Sequence, residues 1–247
     1  MLKRHVELQQ YAVRATDARI GHVGTFMVER GQWAIRYLTV NTGDRLDQRP
    51  VLLNRAAFER IDHNAKQLIL NLSRDDVEKS PEVNPEEPIT RENQKQLHDY
   101  YRWPAYWGRD EEDIIDTSQM AFEESADPAD AQGDVLEDAE PTDLQSVSDL
   151  ETFFHVDTTD EDIGRLCDVV IDTETWEVVY LVCELSEPQG TVVLIPAAYV
   201  ERVEWADGHI YVDFDAPTVR KSPAFRTADS ISDEQIALVE DYYGQQT

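Results

Sequence analysis

The chain carries one sequence pattern twice, and this duplication restricts its fold more than any other feature. At an offset of 143, Val13, Thr16, Asp17, Ile20, Gly21, Trp33, Tyr37 and Leu38 meet Val156, Thr159, Asp160, Ile163, Gly164, Trp176, Tyr180 and Leu181. One deletion in the following loop changes the offset to 142, where Leu52, Ala56, Glu59 and Arg60 meet Leu194, Ala198, Glu201 and Arg202. In that register Lys79-Ser80-Pro81 meets Lys221-Ser222-Pro223, and Asp99-Tyr100-Tyr101 meets Asp241-Tyr242-Tyr243. A period this long marks a duplicated domain rather than a solenoid of short repeats. The 247 residues fit two domains of roughly 100 residues each.

The copies span residues 1–107 and 150–247. Between them, residues 108–149 hold fifteen acidic residues and one basic residue, Arg109. Such a segment buries too little apolar surface to offset its ordering entropy, so it reads as a mostly disordered linker. Like-charge repulsion extends it. Its large apolar side chains are few, and the short run Ile114-Ile115 with Met120-Ala121-Phe122 reads either as a docking motif or as residual hydrophobicity.

Each copy reads as a series of short strands. In the second, Leu166–Ile171 and Glu177–Leu185 flank Asp172-Thr173-Glu174-Thr175 as a hairpin. The first repeats this with Val23–Val28, a turn at 29–32 and Trp33–Val40. Three further runs follow in each copy, the last two of the second joined at Ala206-Asp207-Gly208. Five or six evenly spaced strands suggest a small antiparallel barrel, closed or nearly so. A helical turn, the Lys-Ser-Pro break and a terminal helix come next. Ser232-Asp233-Glu234-Gln235 is a capping box; Thr90 with Asn93 reads as an incomplete one. The sparse stripe Ile89, Leu97 and Tyr100 places the first terminal helix on a surface.

This order of elements resembles the PRC-barrel family, the β-barrel module of the H subunit of photosynthetic reaction centres and of a ribosome maturation factor. The resemblance rests on Ile20-Gly21-His22-Val23, on Trp33-Ala34-Ile35-Arg36-Tyr37-Leu38-Thr39-Val40, and on Val51-Leu52-Leu53 before Ala56. In the second copy it rests on Ile163-Gly164, Trp176–Val182, Leu194-Ile195-Pro196 and Lys221-Ser222-Pro223, and together it covers nearly everything but the linker. It implies a mainly β chain of two small antiparallel PRC-type barrels, each followed by a short helical tail. It also implies an adaptor that holds protein partners. Two barrels on one chain would act as an intrachain pseudo-dimer, or the chain would form a homodimer. A soluble accessory of photosynthetic electron transfer or complex assembly is one alternative. Another is a small-ligand binder or enzyme with a cleft between the barrels.

The charge balance bounds the partners. With 51 acidic against 22 basic residues the net charge is −29, which repels phosphate backbones and anionic membrane surfaces. No nucleic acid and no membrane insertion are expected, and no run approaches the roughly 18 apolar residues of a spanning helix. The acidity reads either as adaptation to high salt or as an ordinary acidic surface. With no secretion signal at Met1–Leu8, the default location is cytoplasmic.

Catalytic chemistry leaves no signature. His5, His22, His63, His98, His155 and His209 form no metal-ligand spacing, and Cys167 and Cys183 match no redox or zinc motif. Neither a metal nor a cofactor is expected, and Ser80 and Ser222 read as turn or cap residues. The chain is therefore expected not to be an enzyme. One patch stands out as a partner anchor: Tyr100, Tyr101, Trp103, Tyr106 and Trp107, with Pro104 ending the helix. Its plainer reading is an arm packed over its own domain.

Overall fold

The computed structural model describes residues 1–42, 50–84, 87–107, 142–226 and 230–246. It divides into two compact units, Met1–Lys79 with Asp143–Thr247 and Ser80–Thr142. The first holds both β-rich repeats.

In the first repeat, β1 (Leu2–Arg4) and the helical turn α1 (His5–Leu8) precede β2 (Ala12–Arg14), β3 (Arg19–Glu29), β4 (Ile35–Asn41) and β5 (Val51–Asn54). A 3₁₀ turn leads to β6 (Phe58–Asp62), β7 (Gln67–Leu70) and α2 (Arg74–Glu78); α3 (Arg91–Tyr101) lies in the other unit. The second repeat has β8 (Leu144–Ser146), α4 (Val147–Phe153), β9 (His155–Asp157), β10 (Asp162–Asp172), β11 (Glu177–Leu185) and β12 (Val192–Pro196). It continues with β13 (Val200–Glu204), β14 (His209–Val212), α5 (Ala216–Arg220) and α6 (Asp233–Gly244). The strand orders are β5-β4-β3-β2-β7-β6 and β12-β11-β10-β9-β14-β13. Chain order and strand order thus agree between copies. The fold is mainly β, with short helices, as expected. One departure is that β2 pairs parallel with β7, and β9 parallel with β14.

The long strands β3 and β10 bend through register shifts, which curls each sheet around its own core. Gly21 and Gly164 sit where neighbouring backbone passes closest. A Cβ there would lie 2.1 Å from the carbonyl oxygen of Asn41 or Glu184. Alternating inward residues such as Phe26, Val28, Tyr37 and Leu53, and Val169, Ile171, Leu181 and Ile195, are buried at 1 % exposure or less. The Lys-Ser-Pro break falls where expected: Lys79 and Lys221 are the C-caps of α2 and α5.

Sequence does not reveal that the repeats exchange their first strands. β1 joins the second repeat's sheet, Leu2 opposite Asp172 and Arg4 opposite Val170. β8 joins the first repeat's sheet, Leu144 opposite Glu29 and Ser146 opposite Met27. Leu2–Leu8 aligns with Leu144–Leu150 at an offset of 142, one residue before the 143 offset of the long strands. Under that alignment the two registers are identical, so the two halves are related by a pseudo-twofold axis. More bonds cross the seam in the same sense. Ile35 N donates to the Trp176 carbonyl at 2.8 Å, and Val178 N to the Trp33 carbonyl at 2.9 Å. The Trp176 ring packs on Phe26 and Phe58, and Trp33 on Trp205. His63 lies between Tyr11 Oη and Thr173 Oγ1, at 3.1 and 3.2 Å.

The linker reading needs one boundary moved. Residues 108–141 lie outside the described residues, but Leu144–Ser146 forms β8 and Val147 opens α4. Val147 and Leu150 are fully buried, which folds this stretch despite its acidic neighbours.

In the unit Ser80–Thr142, two expectations for α3 are corrected. Asn93 completes the capping box, because its carboxamide oxygen accepts from the Thr90 amide at 3.0 Å. The helix also has a buried face, made by Gln94, Leu97 and His98. Two of these are polar, so counting apolar residues misses the stripe.

Candidate functional site

Strand exchange lays the first turn of each repeat against the other repeat's barrel, producing two pseudo-equivalent crevices. Their backbone scaffolds match. Val6 N approaches Asp168 Oδ1 at 3.5 Å in one, and Ser148 N donates to Thr25 Oγ1 at 3.1 Å in the other. Val6 aligns with Ser148, and Thr25 with Asp168. The side chains have diverged completely.

In the first crevice α1 supplies His5, α4 supplies Glu151 and β10 supplies Asp168. One ligand atom from each lies within 4.8 Å of the others. His5 is fully buried. Its Nδ1 is 2.7 Å from Glu151 Oε1, and its Nε2 is buried without a hydrogen-bond partner. Asp168 is 4 % exposed and accepts from the Val169 amide at 2.9 Å. Arg4 reaches Asp168 Oδ2 at 3.6 Å and Glu7 Oε1 at 3.3 Å, with Lys3 also beside Glu7. Burial, and then the neighbouring Glu151, push the Asp168 carboxyl up to about 7, against the pull of Val169, His5 and Arg4.

The second crevice is neutral. Val147 stands in place of His5, Gln9 in place of Glu151, and Thr25 in place of Asp168. Thr25 and Thr39 bond each other through Thr25 N to Thr39 Oγ1 at 2.8 Å and Thr39 Oγ1 to Thr25 O at 3.2 Å. An open cavity of about 460 Å³ remains, lined by Gln9, Gly24, Thr25, Thr39, Asn41 and Ser148 among others. The crevice that carries His5, Glu151 and Asp168 thus has a pseudo-equivalent in which none of the three is kept.

The aromatic patch lies in the unit Ser80–Thr142. Arg102 leaves α3 in the left-handed conformation, φ 57°, and turns the chain back on the helix. Trp103 stacks on Tyr101 at 4.1 Å. Trp103, Tyr106 and Trp107 surround His98, with Trp107 closest at 4.6 Å between ring centroids. Tyr106 Oη donates to Gln94 Oε1 at 3.0 Å, and the Arg91 guanidinium lies over Trp107 at 4.7 Å. Burial holds the His98 imidazole below its ordinary range. Much of this aromatic surface is therefore engaged with α3, while Tyr100 is 39 % exposed.

Sequence spacing misses the His5–Glu151–Asp168 cluster, because 146 positions separate His5 from Glu151. The available signal was a mismatch between copies: positions that should be equivalent and buried carry a histidine and an aspartate in one crevice only. Ser80 and Ser222 are 5 % and 6 % exposed, and each directly follows a helix C-cap. No described helix is long and apolar enough to cross a membrane.

A small, strongly bent seven-stranded sheet with short helices, built twice in one chain with the same strand order, defines a duplicated, mainly β module. Residues 147–218, most of the second repeat, match the family model for the PRC-barrel domain. The first repeat has the same strand order and register but lies outside that match. No curated protein matches the chain.

Proposed function

We propose that the chain is a non-enzymatic cytoplasmic scaffold that binds partner proteins through its paired barrels. The observation that carries this reading is the reciprocal strand exchange, by which β1 and β8 fuse both repeats into one body. A fused pair presents two related faces at a fixed spacing, so a partner touching both gains effective concentration without further ordering cost. The terminal strands β6 and β13 support it. They end their sheets at repeat-related positions and expose the same Glu–Arg pair, Glu59-Arg60 and Glu201-Arg202. Exposed strand edges are surfaces to which an extended segment can add. An adaptor role is also what the PRC-barrel resemblance implies.

A photo-crosslinking side chain at Arg60 or Arg202 in the native cell tests this. Capture of one defined protein from both positions is expected. Capture of none above background overturns it.

One observation favours a second reading. The open polar cavity at Gln9, Thr25 and Asn41 joins side chains of both repeats through Ser148, which suits a small polar ligand in the seam between barrels. Thr25→Val would abolish such binding yet leave crosslinking at Arg60 intact.

A further inference from the structure

We infer that His5, Glu151 and Asp168 form a binding site for a first-row divalent transition-metal ion, clamped between the two repeats. This goes beyond the scaffold reading and does not depend on it.

The donor set is the first argument. One imidazole nitrogen and two carboxylates are ligands that zinc and its neighbours take. With one donor atom of each within 4.8 Å of the others, small side-chain rotations bring all three to the ~2.0–2.2 Å reach of such an ion. Burial is the second. The His5 side chain is 0 % exposed and Asp168 5 %, with Glu151 at the rim at 20 %. A fully buried ring nitrogen, His5 Nε2, has no hydrogen-bond partner, so hydrogen bonding within the fold leaves the ring incompletely used.

Charge is the third argument. The buried Asp168 carboxylate, with Glu151 beside it at the rim, shares this site with one guanidinium, Arg4, which also serves Glu7 at 3.3 Å. Buried charge is costly unless compensated. A dication supplies the missing compensation and leaves Arg4 its bond to Glu7. The pseudo-twofold axis supplies an internal comparison. Val147, Gln9 and Thr25 occupy the equivalent places and keep the same backbone contact to the incoming turn. Strand exchange therefore does not require the ionisable trio.

The ion also explains why the site spans the repeats. His5 comes from one copy, Glu151 and Asp168 from the other, so binding would lock the exchanged first turn of the first repeat onto the second barrel.

The test uses the full chain, untagged and stripped of metal, titrated with Zn²⁺ while excess Mg²⁺ occupies the acidic surface. One Zn²⁺ per chain is expected. Glu151→Gln, Asp168→Asn and His5→Ala should each weaken binding by about tenfold or more, and Thr25→Val in the neutral crevice should not. Co²⁺ should give a d–d absorption band in the wild type that Glu151→Gln alters. Glu151 is at the rim, so that variant keeps the test decisive if the buried substitutions unfold the protein. No stoichiometric Zn²⁺ binding, or binding that survives Glu151→Gln unchanged, overturns the site.

Discussion

Trp33 and Trp176 occupy the same position in the two repeats, each in the left-handed conformation, φ 57° and 60°, and each lends its carbonyl to an amide of the opposite repeat. The carbonyl of each must point across the pseudo-twofold axis, and the αL turn aims it there. Left-handed backbone costs a non-glycine residue roughly 1–2 kcal/mol. Ring burial offsets that cost, since Trp176 is 7 % exposed against Phe26 and Phe58.

This pairing sets an inverted order of substitutions. In ordinary extended or helical backbone glycine is worse than alanine, by roughly 0.5–1 kcal/mol in an element interior. At Trp176 both lose the ring, at a cost of about 3–5 kcal/mol for alanine. Trp176→Gly avoids the left-handed penalty, so it should be less destabilising than Trp176→Ala. Urea unfolding of the two variants decides the order.

The exchanged strands predict effects that appear in the wrong repeat. Lys3→Pro removes an amide from β1 and should speed hydrogen exchange at Val170–Asp172, in the second repeat. Gln145→Pro should do the same at Met27–Glu29, in the first. Faster exchange confined to each mutation's own repeat would contradict the registers of β1 and β8.

The duplication, the succession of hairpin strands along each copy and the Lys-Ser-Pro caps are legible in the sequence because they depend on local patterns that both copies preserve. The exchange is not legible. Leu2–Arg4 is three residues long, and no property of Leu-Lys-Arg distinguishes pairing within a repeat from pairing across the axis. The buried face of α3 escapes for another reason, since Gln94 and His98 are buried through hydrogen bonds and ring contacts rather than hydrophobicity. The first crevice is visible only once exchange has brought His5 to Asp168. Even so, repeat positions where a histidine faces a valine, or a threonine an aspartate, were the places to look.

Gly21 and Gly164 should tolerate no side chain. A Cβ at either would overlap a backbone carbonyl oxygen at 2.1 Å, and backbone cannot yield as a flexible side chain can. Gly21→Ala and Gly164→Ala should each cost about 1–3 kcal/mol, measured as a lower denaturation midpoint. Gly31→Ala, where a Cβ meets nothing within 4 Å but φ is 82°, should cost only the backbone term.

The two thiols should be inert in the folded chain. Burial pushes Cys167 up to about 11 and Cys183 further still, and Cys167 also donates to the Val182 carbonyl at 3.3 Å. Thiolate is the reactive form, so a thiol reagent near neutral pH should label neither site until denaturant is added. Rapid native labelling of Cys183 would contradict the buried position of β11.

Acid should loosen the seam through His63. Burial, and then the positive charge of Lys3, hold this imidazole below its ordinary value of 6.5. Thr173 Oγ1 donates to the Met1 carbonyl at 2.9 Å, so its oxygen accepts from His63 Nε2–H and leaves Nδ1 to accept from Tyr11 Oη. That arrangement uses the neutral ring. Protonation places a hydrogen on Nδ1 facing the tyrosine hydroxyl, in a site that already disfavours positive charge. The folded state therefore binds the proton less tightly than the unfolded chain does. Its contribution to stability is complete above 6.5 and declines as the pH falls through that value toward the lower folded one. Unfolding free energies of the wild type and of His63→Gln, compared from about pH 7.5 to about pH 5, should diverge at the high end and converge at the low end. A constant difference across the range would mean that His63 titrates alike in both states.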